Sequence, residues 1–182
     1  MRPFATIIAS LNGDVSVEHS PVLGGRVDDD ARLRFCLVRS GDAARLIQDG
    51  ANVIVVFNGP DAYISPEWVG EPDGLPYWNY VSAEARGACT ALSQSDMITT
   101  VSEISARFED DPSCLPGSEC ATERQRKHLE EMVGFELIAD TFVGTRKLSQ
   151  DKCRDAQARA GEQLAGSGGD RAIAAMMMNQ KR

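Results

Sequence analysis

At 182 residues, 42% hydrophobic and 25% charged, the chain has the size and make-up of one globular domain, residues 1–182, able to bury a core without metal or disulfide staples. Its net charge of -8 and pI near 4.8 offer no basic face to a phosphate backbone, which argues against direct DNA binding. No apolar run approaches the roughly 18 to 20 residues of a membrane span, and the opening MRPFATIIASLNG lacks the apolar core and cleavage site of a secretion signal, so a soluble cytoplasmic protein is expected.

Phe4 to Ala9 is apolar or β-branched, LNGD is a type I′ turn signal, and VSVEHSPVL alternates, which together predict a hairpin. In RLRFCLVRS, Leu33, Phe35 and Leu37 fall on one face of a third strand and Arg32, Arg34 and Cys36 on the other. GDAARLIQDGA reads as a short helix with Asp42 as cap and Gly50 as stop. VIVVF is then a buried strand, and the Asn-Gly-Pro-Asp that follows predicts an exposed, shaped connection through NGPDAYISPEW.

In PYWNYVSAEARGACTAL the period of a strand places Tyr77, Asn79 and Val81 on one side and Trp78 and Tyr80 on the other, with Val81, Ala83 and Ala85 lining a core. SDMITTVSEISARFED predicts an amphipathic helix capped by Ser95 or Asp96, with Ile98, Val101, Ile104 and Phe108 at helical spacing. Asp110 to Glu123 is the expected mobile loop. ERQRKHLEEMVG predicts a helix closed by Gly134, FELIADTFVGTRKLSQD two strand-like pieces around Asp140 and Gly144, and the remainder a helix, a Gly-Ser hinge and a second helix. An antiparallel barrel with attached helices suits this order better than alternating βαβ units, since no Gly-rich phosphate loop joins a strand to a helix.

The chemistry-bearing residues are few. Cys36, Cys89, Cys114, Cys120 and Cys153 are odd in number, irregularly spaced and without a CxxC, so they are taken as reduced thiols. His19 reads as a strand-end histidine and His128 as part of a solvated helix face; with no third ligand in pattern they make a poor metal site. Aromatics on both faces of PYWNY leave open a packed core, an interface or a stacking platform. Arg146, Lys147, Ser149 and Gln150 in GTRKLSQD suit either a phosphate or a polar strand edge.

Taken together, PFATI, HSPVL, LVRSGD, VIVVFNGPDAYISPEW, LPYWNYV, VGFELIAD with KLSQD, and DRAIAAM follow the order and spacing of the PaiB-type family, the FMN-binding negative transcriptional regulators. The sequence resembles that family over nearly its whole length, most specifically in GPDAYISPEW followed by WNY. The resemblance implies an α+β, mainly β fold: an antiparallel split β-barrel with peripheral helices, related to pyridoxamine-phosphate-oxidase-like flavoproteins, dimeric, with FMN in clefts between subunits. It assigns cofactor contacts to His19, Arg39, Trp78, Asn79, Tyr80, Lys147, Ser149 and Gln150, with Arg39 and Lys147 supplying charge to the phosphate. The chain departs from the family at Cys36 (usually His), Gly41 (Asn), Tyr77 (Thr) and Asp151 (Asn).

Two functions from different classes follow. One is a flavin-dependent redox or sensing protein, whose chemistry would rest on the cofactor, since no nucleophile or acid–base pair is evident. The alternative is a diverged barrel dimer that has lost FMN and acts as an indirect regulator or binding module. The lack of a helix-turn-helix signal places any regulation through a partner or small molecule.

Overall fold

Residues 3–27, 30–110 and 115–179 are described by a computed structural model. The first hairpin joins β1 (Phe4–Leu11) to β2 (Asp14–Val27) in the register Leu11↔Asp14. Its two turn residues, Asn12 and Gly13, sit at φ 52° and 96°, the left-handed pair that a type I′ turn requires and that Asn-Gly adopts most readily. Ala5, Ile7 and Ala9 alternate inward along β1. On β3 (Asp30–Val38) Leu33, Phe35 and Leu37 are buried, as the alternation predicts. Cys36, on the opposite face, is buried too. Its cover is α3 (Gln94–Ser105), whose Met97 shares a cluster with it.

Helix α1 (Asp42–Gln48) is capped by Gly41 rather than Asp42, which instead pairs with Arg45 at 2.9 Å. Strand β4 (Asn52–Ile64) does not stop at Asn58-Gly59-Pro60-Asp61 but runs through it, a correction to the expected loop. The reason is a close approach by another strand: a Cβ at residue 59 would lie 2.6 Å from the Val81 carbonyl oxygen, so only glycine admits it. The connection is therefore short, comprising α2 (Pro66–Val69) and a turn before β5 (Tyr77–Ala91).

Helix α3 is capped by Ser93, whose hydroxyl accepts from the Asp96 N–H at 3.1 Å, two residues before the nearer of the expected caps. Its most buried residues are Met97 and Thr100, while Phe108 lies beyond the helix end and is exposed. In α4 (Glu123–Glu130) Thr122 and Gln125 form a capping box. That helix ends before Gly134, which belongs to β6 (Met132–Ile138); the Met97 side chain lies against Gly134 where a Cβ would project. Strand β7 (Thr141–Lys147) follows Asp140, and α5 (Arg154–Gly166) and α6 (Arg171–Met178) end the described chain as predicted.

The strand order is β4-β1-β2-β3-β6-β5-β7, and β4 also pairs with β5, so six strands close on themselves and β7 attaches through β5. Every pairing with a defined register is antiparallel. This is the expected antiparallel split β-barrel with peripheral helices.

Two compact units are distinguishable, and β4 and β5 run from one into the other. The first draws on Met1–Phe57 and Glu84–Val143. Its core centres on Phe35 and Phe135, which face each other in the β3–β6 register with ring centroids 5.8 Å apart. Burial of such a side chain contributes roughly 1.5–3 kcal/mol. The second draws on Asn58–Ala83 and Gly144–Arg182, and its core joins Ile64 and Leu148 to Leu164 of α5 and Ile173 and Met177 of α6.

Of the cysteines, Cys36, Cys89 and Cys153 are free, and Cys114 lies outside the described residues. Cys120 is disulfide-bonded, a correction to the all-thiol expectation. Among the described residues no helix is long and apolar enough to cross a membrane, and no His, Cys, Asp and Glu cluster suits a metal ion.

Candidate functional site

Strand alternation divides the YWNY segment as its sequence predicts. Asn79 has no exposed surface, whereas Trp78 is 54% and Tyr80 38% exposed on the other face. The outward face is an aromatic patch in which Tyr63 of β4 meets both Trp68 and Trp78 edge-on, with centroids 6.4 and 6.3 Å apart. Edge-to-face contact is the arrangement that ring quadrupoles favour, and Trp78 keeps about half of its surface open to solvent, at 54% exposed.

The inward face meets the turn after β7. Ser149 is buried and left-handed at φ 61°, a backbone state that costs a non-glycine residue roughly 1–2 kcal/mol. Four groups hold it there. Its Oγ accepts from Asn79 Nδ2 at 2.9 Å and pairs with the Tyr77 hydroxyl at 2.8 Å. Its carbonyl accepts from Gln157 Nε2 at 2.9 Å and from the Lys152 N–H at 3.0 Å. The same Gln157 amide also donates to the Lys152 carbonyl at 2.9 Å. Gln150 ties the turn to itself: its Oε1 accepts from the Leu148 N–H at 2.7 Å, and its Nε2 donates to the Arg146 carbonyl.

The exposed Lys147 places its ammonium 5.2 Å from the centroid of the Tyr77 ring, a cation–π contact. Close by in sequence, Lys152 pairs with Glu71 at 2.8 Å and Asp151 at 3.3 Å. The hydrogen bond to Glu71 is the chief cause that raises the Lys152 ammonium above its ordinary value. Asn79 donates a second bond to Met177 Sδ at 3.3 Å, while its Oδ1 is buried without a partner.

His19 and Arg39 belong to the other unit. His19 stacks on Phe4 with centroids 6.0 Å apart. Arg39 is exposed and donates to the carbonyls of Met132 at 2.6 Å and Glu130 at 3.4 Å, which leaves N–H groups of its fork for an anion. At the departure positions, Cys36 is buried with its thiol pushed up to about 11 by desolvation, although Arg34 pulls the other way. Asp151 is exposed and paired with Lys152.

Of the eight residues expected to contact a cofactor, Asn79, Lys147, Ser149 and Gln150 are thus brought into one neighbourhood, and Trp78 and Tyr80 occupy the opposite face of the same strand. A flavin phosphate needs a cation and its ring needs a flat apolar surface; Lys147 is an exposed cation, and Trp78 and Tyr80 are exposed rings, of the types that could serve. Asn79, Ser149 and Gln150 already bond within the chain and shape the turn that carries Lys147. Tyr63 and Trp68, both from the NGPDAYISPEW segment that the family motifs singled out, complete this region, and Gln157 joins it without having been expected there. Gln157 carries no sequence signal, because a polar residue on an amphipathic helix shows its role only when the helix is docked.

Residues 1–141 match the family described as "Putative FMN-binding domain". The chain is 24% identical over 152 residues to the protease synthase and sporulation protein PAI 2 of Bacillus subtilis, covering 82% of this chain and 72% of that protein. In fold it is similar to the FAD and haem binding protein of Mycobacterium smegmatis, with a TM-score of 0.58 at 17% identity over 80% of this chain and 65% of that one. It is likewise similar to the flavocytochrome Anf3 of Azotobacter vinelandii, with a TM-score of 0.52 at 14% identity over 80% and 62%. The chain spans just under two thirds of the length of each of these two structures.

Proposed function

This chain belongs to the FMN-binding domain family, and from that premise we propose that it binds FMN and works as a homodimeric cytoplasmic flavoprotein with a redox or ligand-sensing role. Bound FMN would supply the electron-transfer chemistry. The protein's part is to hold it: Lys147 and Arg39 as cations for the phosphate, Trp78 or Tyr80 as a face for the ring. Asn79, Ser149 and Gln150 act behind Lys147, and His19 is carried as a further contact from the family pattern. Residues 1–182 would form one functional domain, because β4 and β5 are common to both units.

The observation that carries this reading is Lys147, a solvent-facing cation on a turn that buried hydrogen bonds hold rigid. Lys147, the last residue of β7, lies against the Tyr77 ring, and strand alternation puts Tyr77 and Trp78 on opposite faces of β5, which favours a dimer in which one flavin takes its cation from one copy and its ring contact from the other. Any negative regulation would run through a small molecule or a partner, given the charge of -8.

The test is an absorbance spectrum of the purified protein followed by FMN titration. A flavin band and sub-micromolar binding are expected, and Lys147→Ala or Arg39→Ala should each weaken binding by roughly 1.5–3 kcal/mol, as loss of a charge-assisted bond does. Co-expressed Lys147→Ala and Trp78→Ala chains should recover one working site per mixed dimer. No binding at hundred-micromolar FMN overturns the reading; if sedimentation still shows a dimer, the flavin-free barrel is what remains.

A further inference from the structure

The turn from Arg146 to Lys152 is fastened more heavily than a strand end requires. Its pivot, Ser149, is a non-glycine residue at positive φ, with its hydroxyl and carbonyl both bonded. Two of the fasteners, Tyr77 and Gln157, are not among the residues that the family pattern marks as cofactor contacts. Tyr77 acts twice: its hydroxyl meets Ser149 Oγ at 2.8 Å, and its ring lies under the Lys147 ammonium at 5.2 Å. Gln157 bonds the carbonyls on both sides of the turn, those of Ser149 and Lys152, at 2.9 Å each, and is itself buried.

We propose that Tyr77 and Gln157 are positioning residues: they hold Ser149 in its left-handed state and so set where Lys147 presents its charge to an anionic ligand. The physical argument is that a left-handed serine relaxes to right-handed or extended backbone once its clamps are removed, and Lys147, two residues earlier, is redirected when it does. The identity of the anion as a flavin phosphate rests on the proposed function; the positioning does not.

The full chain is reductively methylated with a carbon-13 label, and the Lys147 methyl signal is assigned by its loss in Lys147→Arg. The Tyr77 ring should displace that signal in the native chain. In Tyr77→Phe, which keeps the ring, and in Gln157→Leu, the signal should move toward the free-lysine position, and furthest in the double variant. Adding Ser149→Gly, which takes positive φ without a clamp, should bring it back; a merely structural contact would show no such rescue. In parallel, FMN affinity should fall roughly tenfold in the double variant, the scale of one weakened charge-assisted bond. Riboflavin affinity should stay put.

A Lys147 signal that does not move in the double variant overturns the positioning role, as does an equal loss of FMN and riboflavin binding. If the native chain binds neither flavin, the proposed function is lost and the Lys147 signal alone decides this inference. Should the double variant fail to fold, as judged by circular dichroism, Tyr77→Phe with and without Ser149→Gly makes the same decision.

Discussion

A thiol taken out of water on a strand face resists ionisation, and among the described residues Cys36 is buried in this way and Cys89 half-buried. Burial pushes Cys36 up to about 11 and Cys89 up to about 12, from an ordinary value of 9.0. Each group therefore binds its proton more tightly folded than unfolded. The resulting stability is fully present below pH 9 and is lost as pH rises through the folded values, because the unfolded chain gives up these protons first. The urea midpoint is expected to fall between pH 9 and 11, and Cys36→Ala, which lowers the midpoint at neutral pH through lost packing, should flatten that fall. At neutral pH, the exposed Cys153 should react fastest with a bulky thiol reagent, the half-buried Cys89 more slowly, and the buried Cys36 only on denaturation.

At the scale of the element, close backbone approach governs β4 and β5. A Cβ at Gly59 would meet the Val81 carbonyl oxygen at 2.6 Å, and one at Gly87 would overlap the Ile138 carbonyl oxygen. In both cases the obstacle is backbone and has no rotamer by which to yield. Gly87→Ala and Gly59→Ala are each expected to destabilise the chain by roughly 1–3 kcal/mol, the scale of overpacking. Gly144→Ala, on β7 with open space around its Cβ, should be neutral or slightly stabilising. Urea midpoints of the three variants decide the matter. The same comparison explains why the turn formers after VIVVF misled: Gly and Pro punctuate loops on average, yet here the missing Cβ is what allows the strand to continue.

For the whole molecule the question is whether two cores fold as one. Both tryptophans, Trp68 and Trp78, lie in the second unit, so their fluorescence reports that core, whereas circular dichroism reports both. Because β4 and β5 are continuous through both units, the two urea transitions should coincide; separated midpoints would show that each unit unfolds by itself. At FMN one hundred times its dissociation constant both should shift together by about 2.7 kcal/mol, as required of a ligand that binds only the folded state. DNA retardation at low ionic strength should be absent, consistent with the acidic chain.

The sequence by itself determined what depends on neighbours along the chain. The Asn12-Gly13 hairpin, the inward rows Ala5-Ile7-Ala9 and Leu33-Phe35-Leu37, the opposed faces of YWNY and the two C-terminal helices all follow from turn chemistry and periodicity. The family motifs pointed to the barrel and to the residues near the turn. Only the tertiary structure decided that Cys36 would be covered by Met97, that Gly59 and Gly134 would lie inside strands, and that Asn79 and Ser149 would bond each other rather than face solvent. Each of these depends on a group brought in from a distant part of the chain, and periodicity carries no record of what a face will meet. Gln157 is the clearest instance: on its helix it is one polar residue among several, and its bonds to Ser149 and Lys152 exist only because α5 docks beside the turn.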